Sequence, residues 1–114
     1  MRRLVLTTDA RADVFAVLRE SRLNFGPAAR ARYRLLIEAA YRDLCEDPQR
    51  PGVRMSAELP TNVRLYPIRH SRARLPAGDR VGQPRHVVAF RCDEARVEVL
   101  HLLHESMDLP TRLR

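Results

Sequence analysis

The spacing of hydrophobic residues along this chain shifts from two to three-and-four and back again. These shifts mark out one strand, two helices and three further strands. Arg3 to Thr7 (RLVLT) reads as a short strand that stops at Thr7-Thr8-Asp9, where each side chain can accept from the free N–H groups of a helix start. A helix is expected from Ala10. Val14, Val17 and Leu18 recur at helical steps, Ser21 and Phe25 extend the stripe, and Arg11, Asp13, Arg19, Glu20 and Arg22 face away. Asn24-Phe25-Gly26-Pro27 interrupts it, glycine suiting the left-handed end of one helix and proline the first turn of the next. The second helix is expected over Pro27 to Glu46. It should bury Ala29, Tyr33, Leu36, Ile37, Ala40, Tyr41 and Leu44, leave Arg30, Arg32 and Arg34 on a solvated face, and stop before Pro48. Together the two make an antiparallel helical hairpin.

From Pro48 to Pro60 no period is sustained, and the stretch reads as an irregular connector. Asn62 to Arg72 (NVRLYPIRHSR) alternates Val63, Leu65 and Ile68 with Arg64, Arg69 and His70. Pro67 lacks a ladder donor, which places this strand at an edge or a bulge. Arg72 to Pro84, with two glycines and two prolines, is expected to be a long, mobile hairpin loop. His86 to Cys92 is a third strand, Asp93-Glu94-Ala95 a turn, and Arg96 to Leu103 a fourth. Five of the seven residues from Val97 to Leu103 are valine or leucine, fit for a strand buried on both faces, before polarity breaks at His104-Glu105-Ser106. Met107 to Arg114 should be a tail or a single helical turn. The order β-α-α-β-β-β implies an α+β fold, with a mostly antiparallel four-stranded sheet and the hairpin packed on one face. The other face should stay partly open, as a cleft or a partner-binding surface.

At 114 residues the chain is expected to form one domain, residues 1–114, burying about two-thirds of its unfolded surface. No apolar run approaches the roughly 20 residues that span a bilayer, and the stretch after Met1-Arg2-Arg3 is too short for a signal peptide. A cytoplasmic protein without membrane contact is expected. Cys45 and Cys92 stand alone, without a metal-ligand partner in sequence, and read as free, buried thiols. All 21 basic residues are arginine, which excludes lysine bases, Schiff-base lysines and P-loop lysines. The net charge of +7 is concentrated in the middle: residues 48–91 carry nine arginines against two acids. Such a field draws an anionic partner, nucleic acid or acidic polypeptide.

His101 and His104 are three apart, which in a strand puts them on opposite faces and makes a shared metal geometrically poor. His104 is expected to anchor the turn by bonding Glu105, Asp108 or backbone. Met107 and Leu109 should plug the sheet end, and Asp108 is placed to cap the last turn. Arg64, Arg69, Arg85 and Arg91, if clustered on neighbouring strands, would form an anion-recognition surface. No nucleophilic triad, glycine-rich phosphate loop or carboxylate pair is present, and no cofactor is expected.

Four stretches, in order, resemble toxins of the ParE family, within the ParE/RelE superfamily of type II toxin–antitoxin modules. Leu6 to Asp13 is similar to the family's passage from first strand to first helix, and Ala28 to Pro48 to its second helix. Pro84 to Arg91 resembles the strand in which an aromatic precedes arginine. Val97 to Leu109 is similar to the closing strand and its Leu-His-x-x-Met-Asp turn, here Leu103, His104, Met107 and Asp108. Two departures are the longer Arg72–Pro84 connection and His101, where a basic residue is common. The resemblance implies a toxin that inhibits growth by engaging DNA gyrase and blocking replication, within a plasmid-stabilising module. It also implies a cognate ParD-like antitoxin in a hetero-oligomeric complex, with an acidic, amphipathic segment folding over the open face. In the RelE branch, ribosome-dependent mRNA endonucleases use lysine, arginine and tyrosine. Here His70, His86 or His104 with nearby arginines would have to substitute, the set His86, His104 and Arg91 first among them. A third reading is a non-toxic module that retains antitoxin binding.

Overall fold

The structure, a computed structural model, describes residues 1–113. Strand β1 (Arg3–Leu6) runs into α1 (Thr8–Phe25), and α2 (Pro27–Glu46) follows after one residue; β2 (Arg64–Pro67), β3 (His86–Cys92), β4 (Arg96–His104) and a single turn, α3 (Leu109–Arg112), complete the chain. The first helix starts two residues before the expected Ala10, because Thr7 is the cap whose Oγ1 accepts from the Ala10 N–H at 3.0 Å. Gly26, at φ 94°, supplies the positive dihedral that joins the helices, and its N–H closes on the Arg22 carbonyl.

The sheet order is β1-β4-β3-β2. β1 lies parallel to β4, with the helical hairpin as crossover, and the other two pairings are antiparallel. The expected α+β architecture is therefore the observed one. β4 is central, which accounts for its continuous apolar run. Val97, Val99 and Leu102 join Val88 and Phe90 beneath the hairpin residues Leu18, Leu36, Ile37, Ala40, Tyr41 and Leu44. Each large side chain so buried contributes about 1.5–3 kcal/mol.

Five expectations are corrected. The second strand ends at Pro67, and Ile68–Arg74 winds into a 3₁₀ helix instead of continuing to Arg72. β2 is a sheet edge, as Pro67 suggested, but Arg54 covers it with a two-way backbone bridge to Leu65. The Arg72–Pro84 connection is pinned: Arg72 Nε donates to the Val81 carbonyl at 2.6 Å and Arg80 Nε to the Leu75 carbonyl at 2.8 Å. The far sheet face is largely covered, since Leu59 and Val63 of the connector and Leu109 and Leu113 of the C-terminal turn pack on Leu65, Val87, Ala89 and Leu100. Phe25, expected at the end of a buried stripe, is 77% exposed. Both cysteines are free; Cys45 is buried and Cys92 only half-buried.

One polar centre lies inside this apolar frame. Asp43 is fully buried on α2 and accepts from Ser71 Oγ (2.6 Å), Arg50 Nη1 (2.9 Å) and Arg74 Nε (2.5 Å). Tyr66 bonds Ser71 at 2.8 Å, and the Arg50 guanidinium sits 5.7 Å from the Tyr66 ring centre. The carboxylate thereby ties the connector and the 3₁₀ segment to α2.

Candidate functional site

Strand register assembles the site. His86 begins β3 and His104 ends β4, and the antiparallel ladder sets them directly opposite one another. Their rings meet edge to face, with centres 5.3 Å apart. Tyr33, reaching down from α2, packs edge-on against His86 at 5.4 Å and brings its hydroxyl to His86 Nδ1 at 2.5 Å. Burial keeps both groups neutral: it pushes Tyr33 up to about 12 and His86 down to about 4, so neither phenolate nor imidazolium forms near neutral pH.

His104 anchors its turn through backbone, as expected, and through a side chain: the Ser106 N–H and hydroxyl both approach His104 Nδ1, at 3.1 and 2.7 Å, while Glu105 and Asp108 bond elsewhere. Glu105 turns the other way. It accepts from Arg85 Nη1 at 3.0 Å, and its second oxygen lies 3.7 Å from Arg69, while its N–H closes on the Arg85 carbonyl. Across the strand end, Asp13 of α1 accepts from both His101 Nδ1 and the Leu102 N–H at 3.0 Å, fastening the first helix to β4.

Between the helical hairpin and this end of the sheet opens a cleft of about 1070 Å³. Val17, Phe25, Tyr33 and Met107 give it an apolar wall, and Arg32 and Arg85 give it cations. His101 and His104 both border it despite their three-residue spacing, which was expected to place them on opposite faces. Among the described residues, no three His, Cys, Asp or Glu side chains converge as a metal site requires.

The four arginines expected on one surface divide into two pairs. Arg69 and Arg85 meet at Glu105. Arg64 and Arg91 lie toward the opposite end of β3, about 20 Å away at strand rise. There Arg64 reaches the Pro48 carbonyl and Cys92 Sγ, both at 3.4 Å, and Arg91 pairs with Glu98 at 2.8 Å. About 17 Å of strand separates Arg91 from His86 and from His104 opposite it, so the set His86, His104 and Arg91 is not assembled. Of the C-terminal motif, Leu103 is buried opposite Val87, Met107 borders the cleft half-exposed, and Asp108 caps α3 through Thr111.

Sequence reasoning missed the part played by Tyr33, which it assigned to the core alone, and the acceptors Asp13 and Asp43. Asp43 had a signal: it follows Leu36 by seven residues and Ala40 by three, which puts a carboxylate on the buried stripe. No local pattern links Tyr33 to a histidine 53 residues later.

No curated protein matches the chain. The family model for the ParE toxin of type II toxin-antitoxin system, parDE, matches residues 4–109, which take in all but the first residue of β1, both long helices, the other three strands and the turn through Asp108. The chain therefore belongs to the ParE toxin family, as the toxin of a type II toxin–antitoxin pair.

Proposed function

We propose that this toxin poisons DNA gyrase by binding it, stalls it on cleaved DNA and so blocks replication, and that a ParD-like antitoxin neutralises it. The observation that carries the reading is the internal use of both imidazoles in the cleft. Cutting RNA through its 2′-hydroxyl needs a base to take that proton and an acid to protonate the leaving oxygen. His86 Nδ1 is hydrogen-bonded to Tyr33 and burial holds the imidazole down to about 4, and His104 Nδ1 is occupied by Ser106. Arg91, the cation such a set would require, is held by Glu98. This arrangement supports binding over catalysis and weighs against a RelE-type endonuclease.

The cleft suits a disordered antitoxin segment that folds as it binds. Its apolar stripe would lie on Val17, Phe25 and Met107, and its carboxylates would face Arg32 and Arg85. In a supercoiling reaction, purified toxin is expected to accumulate linear, gyrase-bound DNA, and antitoxin added first to prevent it. Normal supercoiling with toxin in excess would remove gyrase as the target. Harmless expression without antitoxin would point to a module that only binds.

A further inference from the structure

Beside the cleft lies a second hollow, of about 580 Å³, which shares Arg85 and Gln83 with it but differs in chemistry. Arg69, Arg72 and Arg85 surround it, with Gln83, Pro84 and Glu105, and the proline is the only apolar side chain among them. Three arginines against one glutamate leave a net charge of +2 around the hollow. Two of the guanidinium groups are held in place. Arg72 is fixed through Nε by the Val81 carbonyl, which leaves the two terminal nitrogens of its fork as donors. Arg85 is steadied by Gln83 Oε1 at 3.4 Å and by Glu105 at 3.0 Å. Glu105 itself, bridging Arg85 and Arg69, occupies the place of an anion between two forks.

We infer that this hollow receives the phosphodiester backbone of nucleic acid, with a phosphate replacing the Glu105 carboxylate between Arg69 and Arg85 and a neighbouring phosphate meeting Arg72. An amphipathic peptide requires an apolar groove for its stripe, which the larger cleft provides and this hollow does not. A sugar–phosphate backbone requires positive charge and forked donors alone. The inference does not depend on gyrase being the target; because Arg85 lines both hollows, an antitoxin segment seated in the larger cleft would compete with nucleic acid for it. The long connection between β2 and β3 is what builds the hollow, since it carries Arg72 and returns the chain to Gln83 and Arg85.

The test is fluorescence anisotropy with the full chain, using labelled duplex DNA, single-stranded RNA of equal length and a polyglutamate peptide over a salt series. Nucleic acid should bind, and tighter binding of DNA or of RNA identifies the source of the phosphates. Arg72→Ala and Arg85→Ala should each weaken binding several-fold and lower the slope of log affinity against log salt by about one. Glu105→Gln should tighten binding by more than Glu38→Gln, which makes the same charge change at the Arg34–Glu38 pair on α2. Thermal unfolding of each variant confirms that it is folded. Absence of binding at low salt, equal affinity for polyglutamate, or equal effects of the two glutamine variants would overturn the assignment.

Discussion

Tyr33 and His86 share a 2.5 Å hydrogen bond that joins the second helix to the third strand, while Tyr41, two turns further along the same helix, buries a hydroxyl with no partner among the described residues. The two tyrosines should answer oppositely to loss of their oxygen. Tyr33→Phe leaves His86 Nδ1 without its partner and should destabilise by about 1–3 kcal/mol, whereas Tyr41→Phe relieves a desolvated hydroxyl and should be neutral or stabilise by about 1 kcal/mol. Urea unfolding of both variants at neutral pH measures the difference, and equal destabilisation would contradict it.

The burial of His86 predicts a pH dependence. Folding lowers His86 from its ordinary 6.5 to about 4, chiefly by desolvation. Between those values the unfolded chain binds the additional proton, so stability is fully present above pH 6.5 and falls as pH drops toward 4. The amount is on the order of 2 kcal/mol once solvent screening is allowed for. His86→Gln should flatten the stability curve within this window, and an unchanged slope would show that His86 is not its source.

Asp43 should be the most sensitive polar position. Asp43→Ala leaves Arg50, Arg74 and Ser71 facing a buried void and should cost about 3–5 kcal/mol. Asp43→Asn retains an acceptor for Ser71 and should cost less. Because the connector and the 3₁₀ segment hang on this carboxylate, protease should cleave first between residues 48 and 80 in the alanine variant.

Much of the fold was legible in the sequence because its elements answer to local physics. The two- and four-residue periods identify β1, both helices, β3 and β4, and the unbroken run at Val97–Leu103 identifies the central strand. The failures lie where distant parts decide. Ile68 alternates as a strand residue would, yet Ser71 and Arg74 are drawn to Asp43 and the segment coils. Leu109 was expected to plug the sheet end, but nothing local showed that it and Leu113 would lie across the far sheet face. The arginines were visible as candidates, but their division depends on which end of β3 each occupies, and that is a matter of register.

Gly52, at φ 102°, faces His70, and a Cβ there would meet the ring at 2.7 Å. Gly52→Ala should therefore destabilise by about 1–3 kcal/mol, while Gly78→Ala, in open space, should change stability little. Thermal melts of the two variants decide this, and an equal loss would mean that the turn accommodates a side chain.

Phe25 tests the cleft. It is 77% exposed, so Phe25→Asp should leave the melting temperature nearly unchanged while weakening antitoxin binding at least about tenfold through a lost apolar contact and added like charge. Titration calorimetry with the antitoxin measures it, and unchanged affinity would move the antitoxin segment elsewhere.

The central claim, that toxicity comes from binding gyrase and not from cutting RNA, is tested most directly by inducing the chain alone in a bacterial host and following DNA double-strand breaks and translation rate together. Early breaks while translation continues, also seen with His104→Ala, are the predicted result. Early translational arrest with cut messages, lost in His104→Ala, would contradict it.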